Sequence, residues 1–231
     1  SHIPSLAIIV VGDNPASESY VRGKMKDAEE VGIKAVNTHL PADITQTALL
    51  DLIERMNNDP AIDGILVQLP VPKQISEEAI HLAVKPEKDV DGFSPLSRFA
   101  CCTPKGIIDY LQHENFAFRG KNAVVIGRSS IVGKPMAAML LKEDCNVTTL
   151  HSKTSDEDKR FYLAHADLIV VAIGHLGMID ASYVFKPTAV IIDVGINRGE
   201  DGYLHGDCVP GLKVAYQSPE PGGVGLLTRL A

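Results

Sequence analysis

The chain has 231 residues, room for one large domain or two small ones. Hydrophobic residues make up 45% and charged residues 22%, ordinary globular usage that argues against a disordered chain. With 22 Lys and Arg against 29 Asp and Glu the formal charge is −7, which excludes a generally basic nucleic-acid surface.

Leu6 to Val11 is a short aliphatic run closed by Gly12-Asp13-Asn14-Pro15, and it reads as a buried parallel strand. Residues 16–31 carry Val21, Met25 and Ala28 at helical spacing until Gly32 stops the helix. Ala35 to Leu40 reads as a second strand, and Thr45 to Asn58 as a helix with Leu49, Leu52, Ile53 and Met56 on one face. Gly64 to Val67 is a third strand, ended by Pro70-Val71-Pro72. Ser76-Glu77-Glu78 has the form of a helix start, a capping hydroxyl followed by acids in the first turn. After a loop rich in Asp, Gly and Pro (88–104), Pro104 is expected to open a helix to about His113. Ala123 to Ile126 is a strand, followed by a glycine-bracketed turn and a helix from about Val132 to Glu143. Asn146–Leu150, Leu168–Ile173 and Ala189–Asp193 are further aliphatic runs. This alternation predicts two α/β units built on parallel sheets, with a boundary near residue 105.

The absence of Trp and the 5% aromatic share leave Val, Ile, Leu and Ala to build the core. The four cysteines form no CxxC pair and no zinc spacing, so reduced thiols in a cytoplasmic setting are expected. No apolar run approaches the ~20 residues of a membrane span. Ser1-His2-Ile3-Pro4 does not have the basic and then apolar pattern of an intact secretory signal.

Ligands of open α/β sheets bind beyond the carboxyl ends of the strands. Gly127-Arg128-Ser129-Ser130-Ile131-Val132-Gly133 follows a strand and opens a helix. It reads either as a phosphate cradle, with Arg128 as its cation, or as a plain turn. After the next strand come His151-Ser152-Lys153-Thr154, without the acid that usually holds the ribose of NAD. With Arg128, this set suits a 2′-phosphate and favours NADP; the alternative is a solvated loop. Ser17, Tyr20 and Lys24 lie along one side of the first helix; a lysine beside an apolar face suits acid–base work, and the alternative is the Tyr/Lys pair common on solvated helices. Gln68 directly follows the third strand. Asp89 and Asp91 can bind ligand N–H groups or cap a turn, and no third acid nearby completes a metal set, so no metal is expected. Pro219-Glu220-Pro221-Gly222-Gly223-Val224-Gly225 is a rigid and then flexible loop, able to approach a flat ligand closely or simply to end a domain.

Five segments in order resemble the bifunctional methylenetetrahydrofolate dehydrogenase/methenyltetrahydrofolate cyclohydrolase family. They are Ser17-x-x-Tyr20-x-x-x-Lys24, Val67-Gln68-Leu69-Pro70-Val71-Pro72, Lys88-Asp89-Val90-Asp91-Gly92, Gly127-Arg128-Ser129-x-x-Val132-Gly133-x-Pro135 and Pro221-Gly222-Gly223-Val224-Gly225. The resemblance runs from about Leu6 to Thr228 and implies two linked reactions. Methylenetetrahydrofolate is oxidised by NADP, and water then opens the methenyl product to 10-formyltetrahydrofolate. It implies an N-terminal α/β folate-binding catalytic domain (1–105), a Rossmann-like NADP-binding domain (106–218) and a segment (219–231) returning toward the first domain, with folate in the cleft between the lobes.

By the same resemblance Lys24 is the central catalytic residue, Tyr20 stacks on or orients the folate, and Gln68 hydrogen-bonds Lys24. Asp91 binds the pterin edge, Ser17 and Asp89 support it, and Pro221, Gly222 and Gly223 line the ring site. Gly127, Arg128, Ser129, Ser152, Gly174, Ile196 and Thr228 contact the cofactor. A homodimer is implied, with no nucleic-acid or membrane partner. Two departures stand out: Leu226-Leu227 replaces the usual Pro-Met, and Glu220 stands where an apolar residue is common. The resemblance further implies helices before Leu6 and after Thr228 that these 231 residues do not supply.

Overall fold

The run expected as the first strand forms β1 (Ser5–Val11), the middle of a three-stranded parallel sheet. Its neighbours are β2 (Lys34–Leu40) and β3 (Gly64–Val67). A middle strand buries both faces, which is why its side chains are aliphatic without alternation. Ile8 and Val10 pack with Val21 of α1 (Pro15–Glu30) on one face. Ile9 and Val11 pack on the other with Leu49 and Ile53 of α2 (Gln46–Asn58) and Ile80 of α3 (Glu77–Ala83). Asn14, Thr45 and Ser76 cap these helices through their side-chain oxygens, each contributing about 1 kcal/mol.

These elements belong to a unit of residues 1–100, and a second unit covers 101–231. The computed structural model describes residues 2–94 and 96–230. The division falls between Ala100 and Cys101, a few residues ahead of the expected boundary near 105, and α4 (Cys102–His113) follows it. That helix starts two residues ahead of Pro104. A proline is tolerated there because no first-turn N–H has an intrahelical acceptor; the first helix bond runs from Lys105 N to Cys101 O.

The second unit is a five-stranded parallel sheet of β4 (Asn122–Ile126), β5 (Asn146–Leu150), β6 (Leu168–Val171), β7 (Val190–Asp193) and β10 (Tyr216–Gln217), in the order β10-β7-β6-β4-β5. A small antiparallel pair, β8 (Asn197–Arg198) and β9 (Leu204–His205), stands apart from it. Ala123, Val125 and Val170 meet Ile107 and Leu111 of α4 and Met136 and Leu140 of α5 (Gly133–Lys142). Val124, Ile126, Ile169 and Val171 meet Leu163 of α6 (Asp156–His165). The strand expected to reach Ile173 stops at Val171, because the Ile173 N–H turns to the Asp207 carboxylate at 2.8 Å.

Helix α6 escapes the apolar-periodicity reading because it buries only Leu163; its sequence signal is the cap Ser155 followed by Asp156, Glu157 and Asp158. The final helix α7 (Val224–Leu230) packs on α4 within the second unit, so residues 219–230 count with that unit; Ala231 of the expected return segment lies outside the described residues. No helix of the described residues is long and apolar enough to cross a membrane.

Candidate active site

In the first unit, α1 carries Tyr20, 41% exposed, and the half-buried Lys24 one turn later. Ser17 differs from expectation. It falls on the buried stripe with Val21 and Ala28, and its Oγ has no partner among the described residues. Gln68 leaves the end of β3, but the expected hydrogen bond to Lys24 does not form. Its Nε2 donates to Leu69 O at 2.9 Å, and its Oε1 is buried without a partner among the described residues. A side-chain amide one residue past a strand reaches its neighbour's carbonyl more readily than a lysine on another element.

The two aspartates divide their work. Asp89 is buried; its carboxylate accepts from Gly92 N at 3.1 Å and Ser94 N at 2.8 Å, and its carbonyl accepts from Ser97 Oγ. It is the keystone of the loop rather than an open ligand group. Asp91 is half-buried and accepts no hydrogen bond among the described residues. Burial pushes its carboxyl up to about 6; the Lys24 ammonium opposes that rise and Asp89 adds to it. A carboxylate short of donors, with an ammonium acting across a gap, is suited to a ligand that presents N–H groups.

In the second unit, the carboxyl ends of four adjacent strands carry the expected cofactor residues. Gly127, at φ +122°, brings β4 so close to Ala172 that a Cβ would stand 2.2 Å from the Ala172 carbonyl oxygen. A Cβ at Gly133 would stand 2.4 Å from Gly127 O, so the turn also packs tightly on the start of α5. Ser129 Oγ accepts from Val132 N and Gly133 N, both at 3.2 Å. It therefore ties the turn to the entry of α5 and keeps only its own hydroxyl hydrogen to donate. Arg128 is exposed and makes no ion pair among the described residues. Ser152 and Lys153 are exposed beyond β5, the strand next to β4.

Gly174, Ile196 and Thr228 are placed less simply. The Gly174 N–H is taken by Asp207 Oδ2 at 3.0 Å. Ile196 is 42% exposed beyond the end of β7. Thr228 Oγ1 meets Thr103 Oγ1 at 2.8 Å and donates to Val224 O, so its hydroxyl ties α7 to α4. Pro221 and Gly222 are exposed ahead of α7, and Gly223 is half-exposed, tight against Pro219 O. Beside them Glu220 Oε2 is buried without a partner among the described residues. Burial first, and then the neighbouring Asp193, push its carboxyl up to about 7.

Sequence reading missed Asp193 and Asp207, which are 1% and 0% exposed. Asp193 accepts from Gly195 N, Asp207 N and Cys208 N, and burial pushes its carboxyl up. The one available signal was an acid closing the apolar run Val190-Ile191-Ile192. Among the described residues no three His, Cys, Asp or Glu side chains are grouped to hold a metal.

Residues 1–91 match the catalytic domain of the family described as tetrahydrofolate dehydrogenase/cyclohydrolase, and residues 101–231 match its NAD(P)-binding domain. Bifunctional protein FolD of Streptococcus pneumoniae serotype 4 is 49% identical over 239 residues, spanning 98% of this chain and 82% of that protein. The bifunctional FolD methylenetetrahydrofolate dehydrogenase/cyclohydrolase of Campylobacter jejuni has a similar crystal structure. Its TM-score is 0.92 at 43% identity, covering 98% of this chain and 84% of that one. The Trypanosoma brucei dehydrogenase-cyclohydrolase, solved with NADP cofactor and an inhibitor, gives a TM-score of 0.89 at 34% identity, covering 98% of this chain and 82% of that one.

Proposed function

The chain belongs to the tetrahydrofolate dehydrogenase/cyclohydrolase family, and from that premise we propose how its own residues perform the two reactions. It is an NADP-dependent methylenetetrahydrofolate dehydrogenase and methenyltetrahydrofolate cyclohydrolase, with an N-terminal catalytic domain and a C-terminal Rossmann-like NADP-binding domain.

The observation that carries the residue assignment is Asp91, a half-buried carboxylate without a hydrogen-bond donor among the described residues, acted on by Lys24. The amino and amide N–H edge of a pterin supplies the missing donors, and charge-assisted hydrogen bonds there hold Asp91 ionised. Tyr20, exposed on the turn before Lys24, offers its ring face to the pterin. Lys24 orients the water that attacks the methenyl carbon and moves its proton. Gln68 brings an acceptor with no partner of its own, suited to the ammonium or to that water. Ser17 and Asp89 support this set from beneath, Asp89 by fixing the loop that carries Asp91. Pro221, Gly222 and Gly223 offer backbone to the flat ring.

The oxidation asks less of the side chains. The folate nitrogen lone pair drives hydride loss, and the protein's task is to place two rings face to face. NADP supplies the hydride acceptor when bound. The close approach at Gly127 and Gly133, the start of α5 and the exposed Arg128 guanidinium fit its phosphates. Ser152 and Lys153, where an acid would select NAD, fit the 2′-phosphate. Ile196 offers an apolar surface; Gly174 and Thr228 shape the site through backbone and helix position.

We read the enzyme as a cytoplasmic homodimer. Burial keeps the Cys145 and Cys208 thiols protonated, which suits a reducing compartment, and Phe161 and Val184 are exposed apolar residues available to a second copy. The deciding experiment follows methylenetetrahydrofolate oxidation with NADP⁺ and with NAD⁺, then loss of the methenyl absorbance. Faster oxidation with NADP⁺ and enzyme-dependent hydrolysis are expected; no enzyme-dependent loss of the methenyl species would sink the hydrolytic assignment.

A further inference from the structure

Three consecutive backbone N–H groups, those of Ile173, Gly174 and His175, converge just beyond the end of β6. Such a run of amides forms a concave nest that favours an anion. Here the anion is the protein's own. Asp207 Oδ2 accepts from Ile173 N at 2.8 Å and Gly174 N at 3.0 Å, and Oδ1 accepts from His175 N at 2.8 Å. The same Oδ1 accepts from Asn197 Nδ2 at 2.9 Å. Asn197 adjoins Ile196 beyond β7, the strand paired with β6. One fully buried carboxylate thus joins the loops that leave two neighbouring strands at their ligand-facing ends.

The surroundings are shaped to this carboxylate. A Cβ at Gly195 would stand 2.1 Å from Asp207 Cγ, so only glycine leaves the space. Asp193 holds the Asp207 main chain, accepting its N–H at 3.1 Å and that of Cys208 at 2.8 Å. Gly206 leaves the matching space, since a Cβ there would stand 2.1 Å from Asp193 Oδ2. The arrangement is therefore a relay: Asp193 fixes the backbone of Asp207, and the Asp207 side chain fixes both loops.

We propose that Asp207 is a positioning residue for the cofactor: by filling the 173–175 amide nest and gripping Asn197, it sets the spacing of the Gly174 and Ile196 loops and leaves the cofactor phosphates to the Gly127 turn. This rests on the cofactor placement proposed above. A preset spacing saves the binding energy that ordering two loops would otherwise consume. A nest already filled by a carboxylate also repels a phosphate, so the phosphates have one amide-rich turn to occupy rather than two.

The test uses the full chain. Asp207→Asn keeps the shape but turns an acceptor oxygen into an amide that faces N–H donors. The expected result is a KM for NADP⁺ raised about tenfold or more in methylenetetrahydrofolate oxidation, with kcat changed far less. Hydrolysis of methenyltetrahydrofolate in the absence of cofactor is expected to stay within about twofold of the parent. Arg128→Ala is the parallel measurement on the cofactor site itself.

An unchanged KM in Asp207→Asn beside a raised KM in Arg128→Ala overturns the positioning role and leaves the cofactor site standing. An unchanged KM in both overturns the placement and the positioning role together. Equal loss of both activities in folded Asp207→Asn also overturns it, as general damage. If Asp207→Asn fails to fold, Asn197→Ala decides, since it removes one of the four donors: a raised KM for NADP⁺ with intact hydrolysis supports the role, and an unchanged KM overturns it.

Discussion

Asp91→Asn separates the binding role of this carboxyl from its cost to the fold. Burial raises the group from 3.8 to about 6. A raised pKa means that the folded state holds the proton more tightly than the unfolded chain. The stability this brings is full below pH 3.8 and is lost as the pH climbs through about 6. Raising the carboxyl from 3.8 to about 6 corresponds to about 3 kcal/mol, which the partial exposure of Asp91 reduces to about 1–2 kcal/mol. Asparagine does not titrate. The variant should therefore gain stability over the parent across the acid range and hold a constant advantage above about pH 7. Roughly half of the gain falls between pH 5 and pH 8. Urea unfolding of ligand-free protein at those two pH values, followed by circular dichroism, measures it. The same variant should bind folate substrate more weakly. A stability difference that is identical at pH 5 and pH 8 would refute the reasoning.

Three further perturbations test other parts of the structure. Gly127→Ala places a Cβ 2.2 Å from Ala172 O at a φ of +122°; a loss of roughly 2–4 kcal/mol from the second unit is expected, and an unchanged melting temperature would contradict it. Glu220→Gln removes a carboxyl raised to about 7 beside Asp193. The parent loses the proton's stabilisation as pH rises from 4.5 through that value, so the melting temperature of the variant relative to the parent should be higher at pH 9 than at pH 5; an equal difference at both values would count against it. Lys24→Ala should abolish hydrolysis of the methenyl substrate while NADP⁺ affinity stays within about twofold, and a large loss of that affinity would contradict the assignment of the two sites to separate domains.

The strands were legible because a strand covered on both faces is a continuous aliphatic run, as in Ile8-Ile9-Val10-Val11 and Leu168-Ile169-Val170-Val171. Tyr20 and Lys24 were legible because helical geometry alone puts residues four apart on one side. Helix α6 was not, since it buries one residue and announces itself only by its cap. Gln68 was placed correctly at the end of β3 and paired wrongly, because the choice between Leu69 O and Lys24 depends on distances that residue order does not encode.

Residue order by itself settles the rhythm of strands and helices and the motifs that end them, because burial pattern and turn chemistry act over a few residues. Packing in three dimensions alone assigns the acids their work. Asp89 and Asp91 stand two positions apart, yet one is consumed by the amides of Gly92 and Ser94 while the other has no donor among the described residues. Asp207 finds its amides more than thirty positions away, at residues 173–175. A carboxylate's role follows from which donors surround it and how far water is excluded, and both are properties of chain segments brought together from distant parts of the sequence.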